Sequence, residues 1–146
     1  MSEFNIPNKL IRLTRMTMEN TTKVRIQSDL SHSIATKKGL RQGGSLACLL
    51  FNLALEKVVR KAGIQTSGTI FYKSVQLLAY ADDIDIIARS RTALKEAFLS
   101  LERAAGEMGL RINEKKTKYL ATRESKYQQR YFQIKNFNFE AVQGFT

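Results

Sequence analysis

The sequence has one cysteine, one proline, one histidine and no tryptophan. A lone cysteine, Cys48, excludes an intramolecular disulfide. His32 sits among serines, and neither residue has a partner at zinc-ligand spacing. Cys48 lies in an apolar run, so a buried, inert thiol is expected. With Pro7 as the sole proline, no Pro-rich linker divides the 146 residues, and the chain reads as a single domain, 1–146. Residues 1–8 lack the apolar core of a signal peptide, and no run reaches membrane-spanning length. These features lead us to expect an intracellular protein with no membrane partner.

Acidic residues are also scarce. Against 13 Asp and Glu stand 24 Lys and Arg, a formal charge of +11. That field favours polyanions such as nucleic acid, an anionic membrane surface or an acidic protein. The plainer reading is that the excess keeps a small domain soluble. A hydrophobic content of 43% is enough for a packed core and argues against disorder.

Along the chain, residues 7–20 have helical spacing, with Leu10 and Leu13 on one side and Pro7 in the first turn. Residues 21–27 alternate as a half-buried strand, 28–33 read as a turn, and 34–38 as a returning strand. A glycine-rich loop, 39–44, leads to Ser45 as N-cap and to a helix over 46–61. That helix is apolar on most sides, so burial by several neighbours is expected. Strands are expected at 69–73, 75–80 and 84–88, and an amphipathic helix at 92–108, capped by Gly109. Residues 110–113 and 118–122 look extended, and 130–146 form a hairpin around 136–138. The whole reads as α+β, a mostly antiparallel sheet with helices packed on one face.

Asp82 and Asp83 fall between two of these strands, flanked by apolar runs. Adjacent like charges repel, and a divalent cation relieves the repulsion. Mg²⁺ takes hard oxygen ligands and commonly only one or two protein carboxylates, leaving room for substrate phosphates. The chemistry this serves is two-metal phosphoryl transfer. Read alone, an Asp-Asp pair more often occupies a solvated turn. Asp85 alternates with Asp83 and is either a third acidic neighbour or a solvated side chain.

Tyr80-Ala81-Asp82-Asp83 resembles the Tyr-x-Asp-Asp signature of reverse transcriptases. Upstream, Gly39-Leu40-Arg41-Gln42-Gly43, followed by Leu49-Leu50-Phe51-Asn52, is similar to the family's glycine–glutamine segment. Downstream, Gly109-Leu110, Ile112-Asn113 and Lys116-Thr117 resemble its next motif. The three occur in family order over residues 39–117, and the flanks resemble the non-LTR branch. The resemblance implies a partial polymerase palm and RNA-directed DNA synthesis with Mg²⁺ or Mn²⁺. RNA template and DNA primer would be the partners. It implies Asp82 and Asp83 as metal ligands, Tyr80 beside the primer end, and Arg41, Gln42 and Gly43 on the template or nucleotide side. Lys116 would lie near the departing pyrophosphate. It belongs, however, to a basic run, 115–118, that also reads as a solvated face. Phe51 and Asn52 would fix the helix.

The pattern departs in places. Family palms carry another Asp on an earlier strand, and Glu3, Glu19 and Asp29 make poor substitutes. Gly44 stands where an acid is common, and Ala47-Cys48 where Ser-Pro is frequent. The expectation is therefore a fragment without fingers, first catalytic strand, primer grip or thumb, inactive alone. The alternative is an exapted basic module without chemistry, gripping nucleic acid or a protein, or self-associating through an exposed sheet edge.

Overall fold

The computed structural model describes residues 1–18, 21–35, 45–64, 75–121 and 130–144. Backbone contacts divide the chain into two compact units, Met1–Leu53 and Ala54–Thr146. The α+β class expected from the pattern is what the described residues form, as three α-helices and small, mainly antiparallel sheets. No helix among them is long and apolar enough to cross a membrane.

In the first unit, helix α1 (Asn8–Met18) starts where Pro7 supplies a carbonyl to the amides of Leu10 and Ile11. Its apolar side chains Leu10, Leu13 and Met16 are exposed. Next comes one hairpin in two pieces. Strand β1 (Thr21–Thr22) pairs with β4 (Ile34–Ala35), and inside them β2 (Arg25–Ile26) pairs with β3 (Asp29–Leu30), all antiparallel. The ladder breaks at Ser31, whose Oγ accepts the Val24 amide at 2.9 Å while its own amide bonds the Val24 carbonyl. A serine hydroxyl that competes for backbone donors interrupts a strand in this way. The half-buried strand expected over 21–27 is thus two short exposed strands. Ile26 is 69% exposed, and Arg25, Ile26, Asp29 and Leu30 are exposed alike.

Helix α2 (Ser45–Ala62) crosses from the first unit into the second. Burial on several faces was expected, but its buried residues are Leu55 and Val58, near its C-terminal half. Leu46 and Leu49 are exposed, and so is Cys48, against the expectation of a buried thiol. Composition alone cannot tell a core helix from one with an uncovered apolar end. Gly63, at φ 65°, ends the helix.

The second unit is built on α3 (Arg91–Glu107). Ser90 caps it, its Oγ accepting the Ala93 amide at 3.1 Å. Ala97, Phe98, Leu101, Ala104 and Ala105 recur at helical spacing and are buried. At its end the Gly109 amide bonds the Gly106 carbonyl at 3.0 Å and the Leu110 amide the Ala105 carbonyl at 2.9 Å. This is a Schellman ending with Gly109 in the left-handed region, φ 76°.

On one part of the stripe, Val58 (1% exposed), Leu101, Ala104 and Ala105 form a cluster. The hairpin β5 (Val75–Tyr80) and β6 (Asp83–Ala88) packs Leu77, Ile84 and Ile86 against it. On the other part, Phe98 meets the C-terminal sheet of β7 (Lys118–Leu120), β8 (Tyr131–Ile134) and β9 (Phe137–Val142). The sheet order is β7-β9-β8, with β7–β9 parallel and β8–β9 antiparallel. Phe98 meets Phe137 and Phe139 edge-on, at centroid distances of 5.3 and 5.1 Å. The terminal hairpin turns at Lys135-Asn136, close to the expected place. Residues 110–113 are not a strand, because Asn113 starts a turn instead. The strand expected at 69–73 lies outside the described residues.

Phe98→Ala should cost about 3–5 kcal/mol, as a cavity opens between helix and sheet. Gly109→Ala should cost about 1–2 kcal/mol, since alanine is strained at positive φ. Urea denaturation reads both.

Candidate functional site

The β5–β6 hairpin pairs Val75 with Ala88 at its base and Tyr80 with Asp83 at its tip. That register leaves Ala81-Asp82 as a two-residue turn, with Ala81 at φ 51°. Tight hairpin turns demand positive φ, and alanine adopts it only under strain. The turn holds because the strands below it are fixed. Leu77, Ile84 and Ile86 occupy the core face. Strand alternation then sends Tyr80, Leu78, Asp83 and Asp85 to the opposite face.

Tyr80 is 85% exposed, and Asp82, Asp83 and Asp85 are all exposed. The two adjacent aspartates are not equivalent. Asp82 belongs to the turn, whereas Asp83 opens β6 and faces Tyr80 across the ladder. They are consecutive in the chain, and both side chains are exposed at the hairpin end. Two exposed hard-oxygen donors suit one Mg²⁺ that completes its shell with water and phosphate oxygens. Among the described residues no group of three or more His, Cys, Asp or Glu is disposed to hold a metal ion, so Asp85 does not extend the pair.

Lys116 sits on a separate turn of the same unit. The Asn113 side chain and carbonyl accept the Lys116 amide, and the Asn113 carbonyl also accepts the amide and hydroxyl of Thr117. A side-chain cap of this kind, reaching the amide three residues on, starts a turn and ends any extension of the preceding residues. The Glu114 carboxylate accepts the Asn138 amide of β9 at 2.6 Å and ties the turn to the sheet. Lys118 and Glu140 form an ion pair beside it. The Lys116 side chain is exposed and makes no ion pair with Asp82 or Asp83 among the described residues.

The structure therefore brings Tyr80, Asp82 and Asp83 to one hairpin end and places Lys116 on a braced turn elsewhere. Arg41, Gln42 and Gly43 lie outside the described residues. On α2, Phe51 is half-buried and Asn52 exposed. Sequence reasoning missed the anchors of the Lys116 turn. Asn113 was readable as a turn starter, but Glu114 bonds a partner 24 residues away and gave no local signal.

A family model described as reverse transcriptase (RNA-dependent DNA polymerase) matches residues 1–135. A curated relative is the Retrovirus-related Pol polyprotein from type-1 retrotransposable element R2 of Nasonia vitripennis. It is 28% identical over 100 residues, which cover 68% of this chain and 10% of that polyprotein. The aligned part is thus a small portion of the relative's own length.

Ala81→Gly should raise stability by about 0.5–1 kcal/mol by removing the strain at positive φ, as read by thermal unfolding. Glu114→Ala should speed exchange of the Asn138 amide about tenfold, by loss of a charge-assisted hydrogen bond of about 1.5 kcal/mol. Hydrogen-exchange NMR measures it.

Proposed function

Because the chain belongs to the reverse transcriptase (RNA-dependent DNA polymerase) family, of the non-LTR retrotransposon type, we propose that it is part of the palm of an enzyme that copies RNA into DNA. The observation that supports this reading best is the Ala81-Asp82 turn. A bare, strained turn on a packed hairpin holds two neighbouring carboxylates in solvent. Among the described residues neither carboxylate makes an ion pair.

In this reading Asp82 and Asp83 hold a divalent cation, Mg²⁺ or Mn²⁺. When bound, the cation supplies positive charge to the oxygens of a transferring phosphoryl group. The reaction joins a primer 3′-oxygen to the α-phosphorus of a nucleoside triphosphate and releases pyrophosphate. Tyr80, on the face of Asp83, packs beside the primer end in this reading. Lys116 offers an ammonium on a fixed turn, suited to charge on the leaving pyrophosphate. Arg41, Gln42 and Gly43 contact template or nucleotide.

Two carboxylates from one turn bridge two cations poorly, and the described residues bring no third acid to this turn. We therefore expect these 146 residues to be inactive alone. A second reading, a binding module without chemistry, is favoured by the uncovered apolar side chains of α1 and of the β1–β4 ribbon. Such surfaces take a partner, another segment or a second copy.

Primer extension on an RNA template with Mg²⁺ should give no incorporation above the Asp82→Ala background. Incorporation that Asp82→Ala abolishes would contradict inactivity. For the second reading, light scattering on the isolated chain should show mass rising with concentration, and a monomer at every concentration would weigh against self-association.

A further inference from the structure

Away from the hairpin tip, α3 and β8 border a shallow cleft of about 450 Å³, lined by Arg91, Lys95, Arg130, Tyr131, Phe132 and Gln133. Exposed and buried residues alternate along β8. Tyr131 and Gln133 leave one face, and Phe132 leaves the other, toward α3. Residues of opposite faces share one cleft where it runs along the edge of their strand. The other edge of β8 is taken by β9, so the cleft follows the side away from β9. In the order β7-β9-β8, that side has no strand beside it among the described residues.

The ladder fixes which backbone groups point into the cleft. The Ala141 amide donates to the Arg130 carbonyl at 2.8 Å, which makes Arg130 and Ala141 a hydrogen-bonded pair. Such pairs recur every second residue, at Phe132–Phe139 and Ile134–Phe137. Tyr131 and Gln133 lie between them, so their amides and carbonyls point out of the sheet, away from β9. The Gln133 side chain is engaged elsewhere, donating to the Lys135 carbonyl. Two amides and two carbonyls, repeating at about 6.8 Å, are what a further β-strand pairs with. Phosphate oxygens could accept from the amides but have no proton to give the carbonyls.

Charge selects the kind of strand. Arg91 is the first residue of α3, where a cation opposes the helix dipole, and the first turn carries no acid. Lys95 lies four residues on, where like charges repel across one helical turn. Both lie over the buried Phe132 ring, at 5.9 and 5.4 Å from its centroid. Strand alternation puts Arg130 on the same face as Phe132. All three cations are exposed, and none has a carboxylate partner among the described residues. A strand added to this edge would turn every second side chain toward them. Acids at those positions convert three mutually repelling charges into partners.

We propose that the open edge of β8 docks an acidic protein segment, which adds as a fourth strand to the three-stranded C-terminal sheet, with carboxylates at alternate positions facing Arg91, Lys95 and Arg130. The inference rests on the strand edge and its cations, and does not require the polymerase reading.

The test is fluorescence anisotropy of the whole chain with a labelled peptide of about eight residues, in which Glu alternates with Val or Thr. At about 50 mM salt, Arg91→Gln/Lys95→Gln/Arg130→Gln should weaken binding at least about tenfold, and the charge-matched Lys9→Gln/Arg12→Gln/Arg15→Gln less than about threefold. Circular dichroism checks that both variants are folded. Two further measurements need no variant. Methylating one alternate set of the peptide's backbone nitrogens should cost at least about tenfold, and methylating the other set less than about threefold, because only one set faces β8. Saturating peptide should slow exchange of the Tyr131 and Gln133 amides at least about tenfold, as read by NMR. Equal losses from the two methylated sets, unchanged exchange of both amides, or equal losses in the two triple variants would each overturn the proposal. So would a chain that ignores the peptide but binds a labelled oligouridine through the same three cations.

Discussion

The buried stripe of α3 is the constraint on which the second unit depends. Phe98 holds the C-terminal sheet through edge-on ring contacts, and Leu101, Ala104 and Ala105 hold the β5–β6 hairpin. Alanine at two adjacent buried positions keeps the helix surface low, so the hairpin side chains Leu77, Ile84 and Ile86 fill the space. Because that face is packed, the register of β5 on β6 is fixed. A slip of one residue would bury Asp83 and Asp85 and expose three apolar side chains. The same burial keeps Ala81 in a conformation that alanine alone resists. Position and strain of the acidic turn thus both follow from one helix face.

What could be read in the sequence follows the strength of its periodic signals. The spacing of Ala97, Phe98 and Leu101 and the cap residue Gly109 placed α3 to within a residue at each end, while the Ser90 cap emerged only in the structure. Alternation around Ala81-Asp82 placed the hairpin, and the aspartate pair with its flanking motifs marked the family that the comparison establishes. The failures have a common cause, which is that composition does not show what covers a surface. Val24 and Ile26 alternate like a half-buried strand, and Cys48 lies in an apolar run, yet all are exposed. Ser31 carried no signal, because its hydroxyl breaks the ladder through a contact with Val24 across the ribbon. The Glu114 contact with the Asn138 amide is likewise a product of chain return.

Charge is distributed along β6 with some economy. Carboxylates gather at its start and cations just beyond its end, against a net charge of +11. A polyanion approaching this unit is attracted broadly but repelled at the aspartate turn unless a cation sits there. Under the proposed function, cation loading and nucleic-acid approach would be linked by ordinary electrostatics.

The central claim is that the α3-backed hairpin presents Asp82 and Asp83 to a divalent cation. Paramagnetic broadening of amide NMR signals by substoichiometric Mn²⁺ tests it most directly. The account predicts that signals from residues 80–84 broaden first, and that Asp82→Asn/Asp83→Asn removes this selectivity while the rest of the spectrum is kept. Broadening centred elsewhere in the chain, or unchanged in the double variant, would contradict it.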